Sequence, residues 1–175
     1  MTMKNTKALF LHHLTQLSNQ LTEANLQDNP ALWLYQNNAR TTLFYLEAMT
    51  RALASFHNKK RFTKLTERFK TLEDGLGQID YFDAHIKDFS SNPSMPVKVI
   101  ELLTQQRQDH LAQFNSTLHK GGWIGDAAQR IHKIRNGKSS QKIDWLEDES
   151  LIKKLHDLYL EKTAEIAEAL SKPIV

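Results

Sequence analysis

Apolar residues recur every three or four positions along almost the whole chain, and that spacing restricts it to helices. The clearest run is Phe62, Leu65, Phe69, Leu72, Leu76, Ile79 and Ile86, with Asp83 holding the remaining place in the register. A repeat near 3.6 puts these positions on one side of a helix, whereas a half-buried strand alternates every second residue. No alternating stretch of useful length occurs, and only 6 Gly and 4 Pro interrupt 175 residues. A fold rich in tight turns needs more of both.

The breaks that do occur delimit six helices. The first is expected over 6–25, on Phe10, Leu14, Leu17, Leu21 and Ala24. Asn29 as N-cap and Pro30 as first helical residue open the second. It is expected to run to residue 56 on Leu32, Ala39, Leu43, Leu46, Leu53 and Phe56. A short polar link over 57–60 makes the second and third helices antiparallel neighbours. The third contains Gly75 and Gly77, each costing about 1 kcal/mol relative to Ala. Close approach of another helix, or a kink, accounts for them.

Residues 89–96 hold two prolines and three serines and mark a boundary inside the chain. A fourth helix is expected over 97–119, stopped by Gly121-Gly122, and a fifth over 126–135 on Ile131 and Ile134. Residues 136–143 are polar and basic and are read as mobile; a last helix spans 148–170. The expected fold is an all-α, up-and-down helical bundle of about six helices. It forms a single domain over 1–175 with a sub-boundary near 89–96.

Composition narrows the function classes. The absence of cysteine excludes disulfides, thiolate metal sites and cysteine nucleophiles. No run approaches the ~18 apolar residues of a membrane span. The first 26 residues, broken by Lys4, Lys7, His12, His13 and Gln16, are too polar for a signal peptide. A cytoplasmic protein without a membrane partner is expected. Net charge is +3 with a pI near 9.0, so a nucleic-acid partner is allowed but not indicated.

Catalytic patterns are missing. There is no Gly-x-Ser-x-Gly turn, and Gly75-Leu76-Gly77 lacks both the spacing and the preceding strand of a phosphate loop. Neither His-Glu-x-x-His nor Glu-x-x-His occurs among the eight histidines. Asp80 and Asp83 could share a helix face, but His85 points about 200° away from Asp83. No catalytic residue, metal or cofactor is assigned, and the reading leans away from an enzyme.

Basic residues form two groups. Lys59, Lys60, Arg61, Lys64, Arg68 and Lys70 stand against Glu67 alone, and Arg130, Lys133, Arg135, Lys138 and Lys142 have no acid between them. Facing one groove, the two groups would attract a polyanion through summed potential and counterion release. Glu73-Asp74 and Glu147-Asp148-Glu149 oppose that field. Trp33 and Tyr35 lie two residues apart, so one of them is expected at a surface or interface.

The stretch Leu34-Tyr35-Gln36-Asn37-Asn38-Ala39-Arg40-Thr41-Thr42-Leu43-Phe44-Tyr45-Leu46 resembles the signature helix of CHAD (conserved histidine α-helical) domains. About forty residues on, Leu72-Glu73-Asp74-Gly75-Leu76-Gly77-Gln78-Ile79-Asp80-Tyr81-Phe82-Asp83 is similar to that family's second signature, a Leu-Gly-x-x-Arg-Asp-x-Asp run. The resemblance covers residues 8–89. It implies a helical bundle that binds inorganic polyphosphate through a basic channel. Arg40 keeps the place of the first signature arginine; Leu43, Leu46, Leu76, Gly77 and Asp83 also match. Asn37 replaces the family histidine, Thr41, Phe44 and Glu47 replace residues usually basic, and Asp80 and Tyr81 replace the Arg-Asp pair. Arg40 and Arg51 remain of the basic row.

The expectation is a non-enzymatic binding domain for polyphosphate or another phosphate-type anion, held by Arg40, Arg51, Arg61, Lys64 and Arg68. The alternative is a helical protein-interaction or structural module, using Trp33 or Tyr35, as in a homo-oligomer without anion affinity.

Overall fold

A computed structural model describes residues 6–56, 58–126, 128–137 and 148–171. Among these residues seven helices follow in order: α1 (Thr6–Ala24), α2 (Pro30–Gln36), α3 (Ala39–Phe56), α4 (Lys59–Ser90), α5 (Val97–Lys120), α6 (Arg130–Arg135) and α7 (Asp148–Ser171). The protein is an all-α helical bundle.

Where the sequence pattern predicts one helix over 30–56, there are two. The chain turns at Asn38, whose φ of 56° is left-handed. Asparagine tolerates that conformation better than most side chains, so the Asn37-Asn38 pair ends α2 and re-aims α3. The start of α2 follows expectation: Asn29 accepts from the Leu32 amide at 3.1 Å and Pro30 opens the helix. Asn115 of α5 completes this cap. Its Oδ1 accepts from the Ala31 amide at 2.7 Å, and its Nδ2 donates to Asn29 Oδ1 at 2.9 Å.

The expected fifth helix is also shorter, because residues 121–126 take another course. Gly122 and Gly125 have φ of 66° and 87°, conformations that glycine reaches without strain. The loop folds back so that Trp123 donates its amide to Leu118 and both Trp123 and Ile124 become buried. Only Arg130–Arg135 is left to form α6. The basic loop expected over 136–143 lies outside the described residues from 138 onward.

One hydrophobic core runs through α1 to α6. Phe10, Leu14, Leu17 and Leu21 of α1 meet Leu43, Leu46 and Leu53 of α3, and Phe62, Phe69, Leu72, Leu76 and Ile79 of α4. Leu111, Phe114 and Leu118 of α5 close it. The antiparallel α3–α4 pair is the most extensive contact. Beyond Phe82, however, α4 has no buried residue, and α5 has none before Leu111. The end of the α4–α5 hairpin therefore extends past the core, tied across by Arg107 to Asp83. Helix α7 touches α3, and its Tyr159, Leu160 and Ile166 are exposed. Of the apolar stripe expected on Leu151, Ile152, Leu155, Leu158, Ile166 and Leu170, Ile166 is exposed rather than packed, and the other five side chains lie outside the described set. Among the described residues no helix is long and apolar enough to cross a membrane.

Close helix approach accounts for both glycines of α4, in different ways. A Cβ at Gly75 would stand 2.4–2.9 Å from three atoms of the buried Phe114 ring. At Gly77 it would meet the Arg40 guanidinium at 3.0 Å. A buried ring cannot yield cheaply, and overpacking costs about 1–3 kcal/mol. The end of an arginine can swing away, and Ala gains about 1 kcal/mol over Gly in a helix. Gly75→Ala should therefore lower Tm and Gly77→Ala should hold or raise it. Equal shifts in a thermal melt would refute this distinction.

Candidate anion-binding cleft

Arg61, Lys64 and Arg68 occupy i, i+3 and i+7 on the first turns of α4, so one face of that helix carries all three. The core-facing stripe of the same helix puts Leu65 beside them. Helix α6 packs its Ile134 inward and thereby brings Lys133 alongside. Together with Gly137 these residues line a cleft of about 320 Å³. Its floor is apolar, since Leu65 and Ile134 are buried members of the core. The two basic groups of the sequence thus meet here through Lys133.

The cleft's charge is not cancelled from within. Among the described residues, no carboxylate forms an ion pair with Arg61, Lys64, Arg68 or Lys133. Burial and the nearby Arg130 push the pKa of the Arg68 guanidinium below its ordinary value. Arg130 is itself fixed: its Nε donates to the Gly121 carbonyl at 2.8 Å and its guanidinium lies 5.9 Å from the centre of the Trp123 ring. Trp123 in turn stands 6.2 Å from Phe69 of the core. Local helix physics adds positive potential. The first turn of α4 has no acidic residue, although a helix N-terminus favours acids and disfavours cations.

Arg40 and Arg51 lie elsewhere and are compensated. Arg40 donates from Nε to Glu73 at 2.7 Å and from Nη1 to Asp80 at 3.1 Å. The bond to Glu73 raises the Arg40 pKa despite partial burial. Asp80 also accepts from the Tyr35 hydroxyl at 3.1 Å. Arg51 pairs with the buried carboxylate of Glu47 one turn earlier. The face that carries Arg40 and Arg51 is therefore laced by its own carboxylates. Asp83 is engaged by Arg107, and among the described residues no group of three or more metal-ligating side chains gathers.

Neither Trp33 nor Tyr35 stands at an open surface. Both are partly buried against the core, because Leu34 between them is the inward residue of the short α2. Aromatic rings are exposed elsewhere: Tyr81 on α4, Tyr159 on α7, and on α3 the pair Phe44 at 59% and Tyr45 at 50%, with ring centres 6.3 Å apart. Tyr45 stacks on His13 of α1 at 4.8 Å. The one-residue offset of Phe44 and Tyr45 from the core positions Leu43 and Leu46 marks them as outward in the sequence.

Burial, and then the neighbouring His12, lower the His13 pKa from its ordinary 6.5. The bond to Gln16 opposes this. The unfolded chain therefore takes up a proton at higher pH than the folded one. Stability supplied by neutral His13 is complete above pH 6.5 and falls as pH drops toward the folded value. His13→Phe, which keeps a ring against Tyr45, should flatten the dependence of Tm on pH between 7 and 5. An unchanged slope in the variant would assign the effect to other groups.

The sequence matches no protein-family model, no curated protein and, in fold, no solved structure.

Proposed function

We propose that this chain is a non-enzymatic binding domain for phosphate-type anions, a divergent relative of the CHAD bundles acting in the cytoplasm. Its ligand sits among Arg61, Lys64, Arg68 and Lys133. What carries the reading is the gathering of four cations without a carboxylate partner among the described residues, around a cleft of about 320 Å³. Like charges held together at the positive end of a helix destabilise a protein that has nothing to place between them. A multiply charged oxyanion offsets that repulsion and accepts hydrogen bonds from guanidinium and ammonium groups alike. Arg40 then serves the α3–α4 contact, its charge spent on Glu73 and Asp80, and Arg51 spends its charge within α3 on Glu47.

Inorganic tripolyphosphate at low salt tests the reading. A ligand at 100 times its Kd stabilises the folded state by about 2.7 kcal/mol. In a chain of this size that is roughly 5–10 °C in Tm. The shift should shrink as chloride replaces counterions on the cleft. No shift beyond that given by chloride at equal ionic strength would remove the proposal.

The second reading, a self-association module without anion affinity, is favoured by the exposed Phe44–Tyr45 pair. It expects a dimer by analytical ultracentrifugation that Phe44→Ser with Tyr45→Ser dissociates. A monomer at all concentrations tested would end it.

A further inference from the structure

We infer that the cleft takes a small organic phosphate ester, a phosphomonoester with an apolar body, in preference to a bare inorganic anion; this rests on the anion reading above. The walls of the cleft are of two kinds. Arg61, Lys64, Arg68 and Lys133 supply charge, while Leu65 and Ile134, 5% and 6% exposed, supply an apolar floor. An inorganic phosphate carries charge and bound water on every side. Setting one of its faces on Leu65 and Ile134 strips water without returning a hydrogen bond, which costs free energy. A phosphate ester has one face that loses nothing there. Its carbon body covers the floor, and burying that surface is favourable.

Size and shape agree. About 320 Å³ lies at the lower end of small-molecule pockets, which combine an apolar lining with a few placed polar groups. Gly137 closes the turn on α6 at one edge of the cleft, where a Cβ would stand 2.5 Å from the Lys133 carbonyl oxygen. Arg61, Lys64, Arg68 and Lys133 line the cleft with no carboxylate paired to them among the described residues, and the charge of a monoester, about −1.5 to −2 near neutral pH, is best placed among them.

The experiment compares two probes on the full chain by calorimetry at low salt, inorganic phosphate and 1-naphthyl phosphate, at about pH 8.5 so that both are close to doubly charged. The ester should bind at least tenfold more tightly. Ile134→Ala, with folding checked by circular dichroism, should lower the affinity for the ester by a larger factor than that for inorganic phosphate and so shrink the preference. Arg68→Glu should weaken both probes. A preference below tenfold in the unaltered protein overturns the inference and leaves the anion reading standing. If neither probe nor tripolyphosphate binds, both fall. The wild-type comparison needs no variant, so misfolding cannot hide the outcome.

Discussion

Phe69→Ala should destabilise the protein by about 3–5 kcal/mol, the cost of removing a buried aromatic ring. At roughly 2–4 °C per kcal/mol for a chain of this size, Tm falls by about 6–20 °C. Phe69 is fully buried near the middle of the core and faces Trp123 at 6.2 Å. The surrounding helices are held on several sides, so the space it leaves cannot close. Phe69 also follows Arg68 of the cleft directly on α4. The variant should therefore lose anion affinity as well, without any charge having been touched. Ile86→Ala is the matched control. It continues the same stripe on α4, but beyond Phe82, where the hairpin has left the core and Ile86 is only half-buried. Its cost should stay under about 1.5 kcal/mol, within the range of modest apolar truncations. Equal losses at the two positions, in chemical denaturation, would mean that the core does not end where the burial pattern puts it.

That contrast shows what the sequence carried. Periodicity located the buried residues of α1, α3 and α4 because it reports which side of a helix is apolar. It could not report where the core stops, since Ile86 continues the same spacing into the hairpin past the single polar place at Asp83. The break at Asn37-Asn38 was readable in principle, as two asparagines are a common helix ending. The apolar spacing across them simply happened to stay in register. Positions 126, 128 and 129 read as helix because nothing local in the sequence opposes it. The positive-φ Gly122 and Gly125, and the burial of Trp123, decided otherwise. For the candidate site, the two basic groups were visible as composition, but their meeting was not. It depends on Ile134 packing inward and carrying Lys133 to α4. The compensation of Arg40 by Glu73 and Asp80 is a contact between helices 33 and 40 residues apart, and one sequence holds no record of it.

Arg61→Glu combined with Lys64→Glu should make the unliganded protein more stable and a far weaker binder. At position 61, a carboxylate three residues after the Asn58 cap completes a capping arrangement and faces the positive end of α4. At position 64 it stands one turn before Arg68, the favoured order for an i, i+4 pair, and so supplies the cleft with its own counter-charge. These effects sum to about 0.5–1.5 kcal/mol, or roughly 1–5 °C in Tm. Binding moves the other way. Each lost charge-assisted hydrogen bond is worth about 1.5–3 kcal/mol, so the pair should weaken tripolyphosphate binding by roughly 10²- to 10⁴-fold at low salt. Lys87→Glu with Lys98→Glu changes net charge equally, but Lys87 is about 35 Å along α4 from Lys64. That is well past the Debye length of about 10 Å at 0.1 M salt, and affinity there should be little changed. A functional cleft predicts opposed signs, stability up and affinity down, from the cleft pair alone. If both double variants lose affinity alike, the anion answers only to overall charge; if the cleft pair destabilises the free protein, its cations are structural and the strain attributed to them does not exist.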